Sequence, residues 1–363
     1  MNKVITIDVR CLSLSGMGTY LKNLIPGLVD DLPNYDFVLL GDPIELKKLF
    51  PTNMTRVNII ASTSSIYSIR EQLDYIRLIP KNTSLYFSTH YNIPLLYFGP
   101  MLVTVYDLCH LAMPQFLNGI HKRMYANIMF RALRHKAKEI ITISEFSKCE
   151  LNKFTGIAKQ NITSIPLGVD MESLILKKDT PIYSMPYILF VGNVKPHKNL
   201  NNLVHAFSKI LDKLPHNLVI VGKKDGFITN NKFDSRIIES LGGRIMFTGY
   251  VNDDDLKNYY TNADAFVFPS FYEGFGLPLL EAMAARCPVI ASNVASIPEV
   301  CGDAAIYFDP YNADDIASKI VMTLSNKKLC KAMKINGYNH AKKYRWDNTI
   351  KSTSEVIKKL LEG

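Results

Sequence analysis

The chain has 363 residues, 47% hydrophobic and 21% charged, and its 42 Lys and Arg outnumber 33 Asp and Glu to leave a net charge of +9. That length exceeds what one hydrophobic core holds comfortably, so two domains are expected, and the composition excludes disorder and collagen-like repetition. No apolar run reaches the ~18 residues of a membrane span, and the opening MNKVITIDVR reads as a strand rather than a signal peptide, so a cytoplasmic protein is expected.

Short apolar runs rich in β-branched and aromatic residues alternate with stretches of helical period, the signature of βαβ units and parallel sheets. The first half predicts strands at KVITID, DFVLLG, RVNIIA, SLYFS, MLVTVYD, EIITIS and NITSIP. The second predicts YILFVG, NLVIVG, RIMFTG, AFVFPS, PVIAS and AIYF, with helices at NLNNLVHAFSKIL, DDDLKNYYTN and NADDIASKIVMTL. Two successive doubly wound α/β domains follow, 1–171 and 172–345, with a polar, proline-bearing linker, ILKKDTPIYSMP, after SIPLGVDMESL. The last segment, 346–363, is an amphipathic helix opening on the only tryptophan, Trp346. It needs a partner surface, which the first domain could supply.

Two further patterns bound the chemistry. The six cysteines, at 11, 109, 149, 287, 301 and 330, include no C-x-x-C pair, which argues against a zinc site or disulfide framework and for buried small apolar residues. The basic excess concentrates in two helical segments, with eight Lys/Arg against three Glu over 118–153 and ten against three acidic residues over 326–363. Solvated helix faces explain this; an anionic ligand, a membrane surface or nucleic acid would also suit it.

In open α/β sheets ligands bind where strands end and helices begin, since helix N-termini expose unpaired N–H groups. Four such turns stand out. SLSGMGTYLKNLI places Gly16 and Gly18 ahead of a helix, with Leu21 where a dinucleotide fingerprint has its third glycine; a plain tight turn explains it equally. VGNVKPHKNL crowds Lys195, His197 and Lys198 beside a helix start, an anion site best matched to a diphosphate. PSFYEGFGLPLLEA follows a strand with Gly274 and Gly276, which let a backbone approach a ligand, and with Pro278 suited to a first helical turn. Its Glu273 and Glu281 would repel phosphate and so fit hydroxyl partners, a sugar ring for Glu273 and a ribose diol for Glu281; dipole compensation alone would explain Glu281 but not the pair. VTVYDLCHLAMP carries Asp107 and His110 at a strand end, where a histidine could act as base, bind acceptor sugar or be structural. The aspartates of NDDDL read as a helix cap in preference to a metal site. HKRMYANIMFRALRHKAKE reads as a half-wet helix, and without exposed aromatics or a known module nucleic-acid binding is not expected.

Over nearly its whole length the chain resembles the retaining GT-B glycosyltransferases of family 4. The matching segments are SGMGTYL, ITISEFSK, IPLGVD, VGNVKPHKN, FTGYVNDDDL and PSFYEGFGLPLLEAMAARCPVIAS, the last carrying the E-x7-E signature as Glu273 and Glu281. The resemblance implies two Rossmann-like domains facing across a cleft, with a nucleotide-sugar donor on the C-terminal one and an acceptor on the N-terminal one. Cofactors and metal would be absent. By position, Glu281 would bind ribose, Glu273 the donor sugar and Lys198 the diphosphate. The Phe275, Gly276 and Leu277 backbone would contact phosphate or sugar, Tyr250 and Val251 would border the base, and Gly16 and Gly18 would approach the diphosphate.

Two positions depart from the family pattern. Asn193 stands where an arginine is frequent, leaving charge neutralisation to Lys198 with Lys195 assisting. Tyr106 replaces the usual histidine before Asp107, and His110 compensates only if its loop turns inward. The expected activity is transfer of a hexose, mannose from GDP-mannose by preference, to a glycan or polyprenol-diphosphate-linked acceptor at the inner membrane face, which the basic helix at 121–138 would suit. A UDP-sugar transferase, a nucleotide-sugar 2-epimerase and a non-catalytic anion-binding protein are the alternatives.

Overall fold

A computed structural model describes residues 2–50, 55–62, 64, 66–116, 120–174, 181–222 and 241–362. The polar linker expected at 175–186 therefore lies partly outside the described residues. The chain forms two compact units, Met1–Gly168 with Trp346–Gly363, and Val169–Arg345.

In the first unit the elements run β1 (Lys3–Asp8), α1 (Ser15–Asp31), β2 (Tyr35–Gly41), α2 (Pro43–Leu49), β3 (Val57–Ala61), α3 (Ile69–Leu78), β4 (Thr83–Ser88), β5 (Met101–Val105), α4 (Cys109–Ala112), α5 (Ile120–Lys136), β6 (Glu139–Thr142), α6 (Glu145–Thr155) and β7 (Ile162–Ser164). The seven strands are all parallel, in the order β3-β2-β1-β4-β5-β6-β7. The order reverses between β1 and β4, which is where an open α/β sheet opens a crevice at its strand carboxyl ends. The inner strands read as unbroken apolar runs because both faces are covered. On one face Val38, Leu40, Tyr86, Val103 and Val105 pack under Tyr75 of α3, Ile79 just after it, and Ala126, Met129, Phe130 and Leu133 of α5.

The second unit contains β8 (Tyr187–Val191), α7 (Leu200–Ser208), β9 (Asn217–Val221), β10 (Ile245–Gly249), α8 (Asp253–Asn262), β11 (Ala265–Phe268), α9 (Leu277–Ala284), β12 (Val289–Ser292), α10 (Ile297–Cys301), β13 (Ala305–Phe308), α11 (Ala313–Leu324) and α12 (Lys327–Ala341). Its six parallel strands run β10-β9-β8-β11-β12-β13, reversing between β8 and β11. Leu200, Leu203, Val204 and Phe207 of α7 and Ile316 and Ile320 of α11 cover one face, against Ile188, Phe190, Ile220 and Val267.

Helix α13 (Trp346–Glu362) completes the first unit and lies along α1. Gly27 makes that approach possible, since a Cβ there would stand 2.3 Å from the Ile350 Cδ1. The Thr349 hydroxyl donates to the Pro166 carbonyl at 2.8 Å and the Tyr35 hydroxyl to the Glu362 carboxylate at 2.6 Å, pinning both ends of the helix.

Two local expectations change form. Gly16 and Gly18 do not precede a helix; they lie inside the first turn of α1, which starts at Ser15. A Cβ on Gly18 would meet the Leu12 carbonyl oxygen at 2.4 Å, so Gly18 seats the helix on the 3-10 turn Arg10–Ser13, whereas nothing lies within 4 Å of a Cβ on Gly16. The NDDDL aspartates occupy the first turn of α8, capped by Asn252, whose side chain accepts from the Asp255 amide at 2.8 Å.

Candidate active site

The carboxyl ends of β8 and β11, at the reversal point of the second sheet, carry the two motif turns. After β8 the chain passes Gly192, at φ 153°, and enters a 3-10 turn, Pro196–Lys198. Gly222 at the end of β9 allows this, because a Cβ there would stand 2.1 Å from the Gly192 carbonyl oxygen. Asn199 then takes a left-handed conformation, φ 57°, and its buried amide donates to the Pro269 carbonyl at 2.9 Å and the Pro310 carbonyl at 2.7 Å. The Phe271 amide donates to the His197 carbonyl at 2.8 Å. These bonds clamp the lysine turn onto the segment after β11.

The clamp brings Lys198 onto Glu273, Nζ to Oε1 at 2.7 Å with both side chains largely buried, and sets Nζ 5.3 Å from the Phe268 ring centroid. The sequence reading assigned these two residues separate partners; the fold makes them one ion pair. The buried Ser296 hydroxyl stands 3.0 Å from both the Glu273 and the Phe275 carbonyl oxygens and holds the loop that follows. Gly276, at φ 105°, ends that loop in a conformation L side chains rarely adopt, and α9 starts at Leu277 with Pro278 in its first turn. In the first turn of α9 Pro278 carries no amide and the Leu279 amide donates to the Gly276 carbonyl at 2.9 Å, so the positive end of the helix is presented to the strand ends chiefly through the Leu277 amide. The Ser270 hydroxyl, also at this end of β11, is buried without a hydrogen-bond partner.

About one turn into α9, Glu281 accepts a hydrogen bond from the buried Tyr260 hydroxyl at 3.0 Å through Oε2. Burial pushes the Glu281 carboxyl up to about 7; the Tyr260 hydrogen bond opposes that shift and Asp253, at the start of α8, adds to it. The Tyr250–Val251 turn, after Gly249 at φ 75°, leads into the same helix start, with Tyr250 exposed and Val251 half-buried. Asn193 and Lys195 are exposed, and the ion pair with Glu273 belongs to Lys198. Among the described residues no group of three or more His, Cys, Asp or Glu is placed to hold a metal ion.

The remaining motif residues, Gly16, Gly18, Tyr106, Asp107 and His110, belong to the first unit. The Tyr106 ring meets Tyr20 edge-on at 5.4 Å; its hydroxyl is buried without a hydrogen-bond partner, and burial pushes its pKa well above the usual phenol range. Asp107 accepts from the Cys109 amide at 2.8 Å and so opens α4, and His110 lies in α4 with its ring 5.8 Å from Tyr91. At the reversal point of this sheet sits a buried network absent from the sequence reading. Arg10 makes a bidentate contact with Asp8, at 2.9 and 2.6 Å, and reaches Glu71 at 2.6 Å and the Tyr75 hydroxyl. Asn92 donates to Glu71 at 2.6 Å, and the His90 Nε2 lies 3.3 Å from Asp8. Burial alone would raise the Asp8 carboxyl, but hydrogen bonds from Arg10 and His90 outweigh it and hold the group well below the usual carboxylate range.

Sequence reasoning also missed Asn199, Ser296 and Tyr260, each of which touches a motif residue and lies outside the motif glutamates. The only available signal was the asparagine directly after Lys198.

Two parallel, doubly wound sheets, with a lysine, two glutamates and a helix start gathered at the reversal point of the second, define a glycosyltransferase of the GT-B plan. The glycosyl transferases group 1 family matches residues 175–340. The chain is 30% identical over 272 residues to the O-antigen chain mannosyltransferase B of Escherichia coli, covering 71% of this chain and 70% of that one. It is 28% identical over 274 residues to the O-antigen chain mannosyltransferase RfbU of Salmonella typhimurium, 73% and 74% of the two chains. In structure it is similar to Anabaena HepE in complex with UDP and glucose, at TM-score 0.77 and 14% identity over 98% of this chain and 100% of that one. The chain belongs to the glycosyl transferases group 1 family, and it is a glycosyltransferase.

Proposed function

We propose that the protein moves a mannosyl group from GDP-mannose, with retention at the anomeric carbon, to a glycan or polyprenol-diphosphate-linked acceptor in cell-surface polysaccharide synthesis at the inner face of the cytoplasmic membrane. The choice of mannose is supported by the two O-antigen mannosyltransferase relatives. The observation that carries the donor site is the meeting of Lys198 and Glu273 across the ends of β8 and β11, beside the start of α9.

In this reading the C1–O bond to the diphosphate breaks as the acceptor oxygen bonds C1 on the same face, and the acceptor proton passes to the departing phosphate oxygen. Charge accumulates on the leaving diphosphate, where Lys198 and the Leu277 amide at the start of α9, already oriented, stabilise it. Glu273 keeps Lys198 in place and meets the sugar hydroxyls. Glu281 presents Oε1 to the ribose diol, while Tyr260 occupies Oε2 and fixes the rotamer. The donor and its acceptor are the only reactants needed, with no cofactor.

The test is a panel of nucleotide sugars scored by thermal stabilisation and by slow donor hydrolysis, with Glu281→Gln beside the wild type. GDP-mannose should stabilise the wild type more than UDP-glucose does, and Glu281→Gln should lose most of that shift. Equal stabilisation by both donors removes the mannose assignment; an unchanged shift in Glu281→Gln removes the donor site.

A further inference from the structure

Tyr67, the residue before the Ser68 cap of α3, is held at φ 69°, a backbone conformation that residues with a Cβ rarely adopt. Its amide donates to the Glu71 Oε2 at 2.8 Å, while the Glu71 amide donates to the Ser68 hydroxyl at 3.1 Å. A glutamate at that place in a capped first turn is ordinary; a fully buried one is not. Glu71 is 0% exposed, and α3 keeps it inward with Tyr75 while Leu73 and Ile76 face solvent with 56% and 57% of their surface exposed. Arg10 holds the carboxylate there, donating to Oε1 at 2.6 Å, and the Asn92 side-chain amide donates to Oε2 at 2.6 Å.

Asn92 extends the arrangement to a second ring, since its Oδ1 accepts from the Tyr125 hydroxyl. The result is an aromatic cup. The Tyr67 ring stands edge-on to Tyr125 at 5.9 Å and tilted to Tyr91 at 6.0 Å; Tyr91 in turn stacks on Phe130 at 5.0 Å and lies 5.8 Å from His110. Tyr91, Tyr125 and His110 are half-buried, whereas Tyr67 keeps 50% of its surface exposed. Tyr67 follows β3, Tyr91 follows β4, His110 follows β5 and Tyr125 lies early in α5, so the rings gather at the strand carboxyl ends near the reversal between β1 and β4. Backbone strain persists where surrounding bonds over-determine it, and here those bonds fix an exposed ring.

Charge limits what the cup takes. Asp8, Glu71 and Asp107 bring three carboxylates to these strand ends, and Arg10 is already bound to two of them. Burial raises the Tyr67 and Tyr91 phenols, and the Asp107 charge adds to both shifts. A phosphate would be repelled by that field. A neutral pyranose would not, and it offers a C–H face to a ring and hydroxyls that donate to carboxylates.

We propose that Tyr67 is the platform on which a neutral sugar ring of the acceptor stacks, with Glu71 as its positioning residue. The acceptor then ends in a sugar before the reaction begins, so the protein extends a chain that an earlier glycosyl transfer started. A bare polyprenyl phosphate is not its acceptor. This choice between acceptors rests on the proposed transfer to a glycan.

The test is saturation-transfer NMR of the full chain with the methyl pyranosides of mannose, glucose, galactose and N-acetylglucosamine. At least one is expected to bind, and farnesyl phosphate, the bare polyprenyl probe, should not displace it. Its affinity should fall about fivefold or more in Tyr67→Gly and Tyr67→Ala, return to within about twofold in Tyr67→Phe, and fall also in Glu71→Gln. Tyr67→Gly relieves the backbone at φ 69° and should melt within a few degrees of the wild type, so lost sugar affinity in that variant marks a binding ring rather than a structural one. Binding of no pyranoside, displacement by farnesyl phosphate, or wild-type affinity in Tyr67→Gly overturns the proposal. The thermal shift with nucleotide sugars reads the donor site by itself, so a failed donor site and a failed platform give different results.

Discussion

Glu281 titrates near neutrality because burial disfavours its ionised form and a single tyrosine hydroxyl only partly compensates. Two hydroxyl donors from a ribose would favour the carboxylate, so donor binding should weaken as pH falls below about 7, approaching about tenfold per pH unit, and stay flat in Glu281→Gln. Calorimetric titration across that range checks it. Stability runs the other way. The folded pKa, about 7, lies above the 4.5 of an ordinary glutamate, so the folded state holds the proton more tightly and ionisation costs stability as pH rises between those values. Allowing for a half-buried side chain, Glu281→Gln should stabilise the ligand-free protein by about 1–2 kcal/mol near pH 8 and by nothing near pH 4. Urea unfolding at both pH values would show it. The glutamate was legible in the sequence from its spacing to Glu273. Tyr260, twenty-one positions earlier in α8, was not, because only tertiary packing of α8 on α9 brings its hydroxyl to the carboxylate.

At the level of elements, the lysine turn after β8 holds its shape through Asn199 rather than through either lysine. Asn199→Ala removes two bonds to the Pro269 and Pro310 carbonyls and places a Cβ residue without asparagine's local compensation at φ 57°. It should destabilise the second unit by about 2–4 kcal/mol and weaken donor stabilisation, while Asn199→Gly, which relieves the backbone but not the lost bonds, should recover part of the stability only. Thermal melts with and without nucleotide sugar separate the two effects. The strands themselves were plain in the sequence, since buried parallel strands are unbroken apolar runs bounded by turn residues. The start of α1 was misread because Gly16 and Gly18 look like a loop; the close seat of Gly18 on the Leu12 carbonyl is what requires a glycine inside a helix. α3 was the harder case. Its inner face sets Glu71, beside the core residues Tyr75 and Leu78, against Arg10 sixty-one residues away, and a residue's local pattern carries no record of so distant a partner.

For the molecule as a whole, the first unit is not contiguous in sequence, since α13 returns to it from the far end of the chain. Trp346 lies 6.5 Å from Tyr20 and the buried Ile357 and Thr353 face the same unit. Removing 346–363 should therefore lower the unfolding transition of the first unit by several degrees or more, and Gly27→Val, which forces α1 and α13 apart at Ile350, should reproduce much of that loss. Differential scanning calorimetry of the three proteins tests it; an unchanged profile would mean that α13 contributes nothing to that unit. Local pattern was enough to establish two α/β halves, their seven and six strands and the motif turns that hold Lys198, Glu273 and Glu281, because periodicity and glycine spacing are properties of neighbouring residues. The ion pair between Lys198 and Glu273, the tyrosine on Glu281, the Asp8–Arg10–Glu71 network and the outward apolar face of α3 were decided by the tertiary structure alone. The first three join residues from separate elements, and only the order of strands in the sheets makes them neighbours.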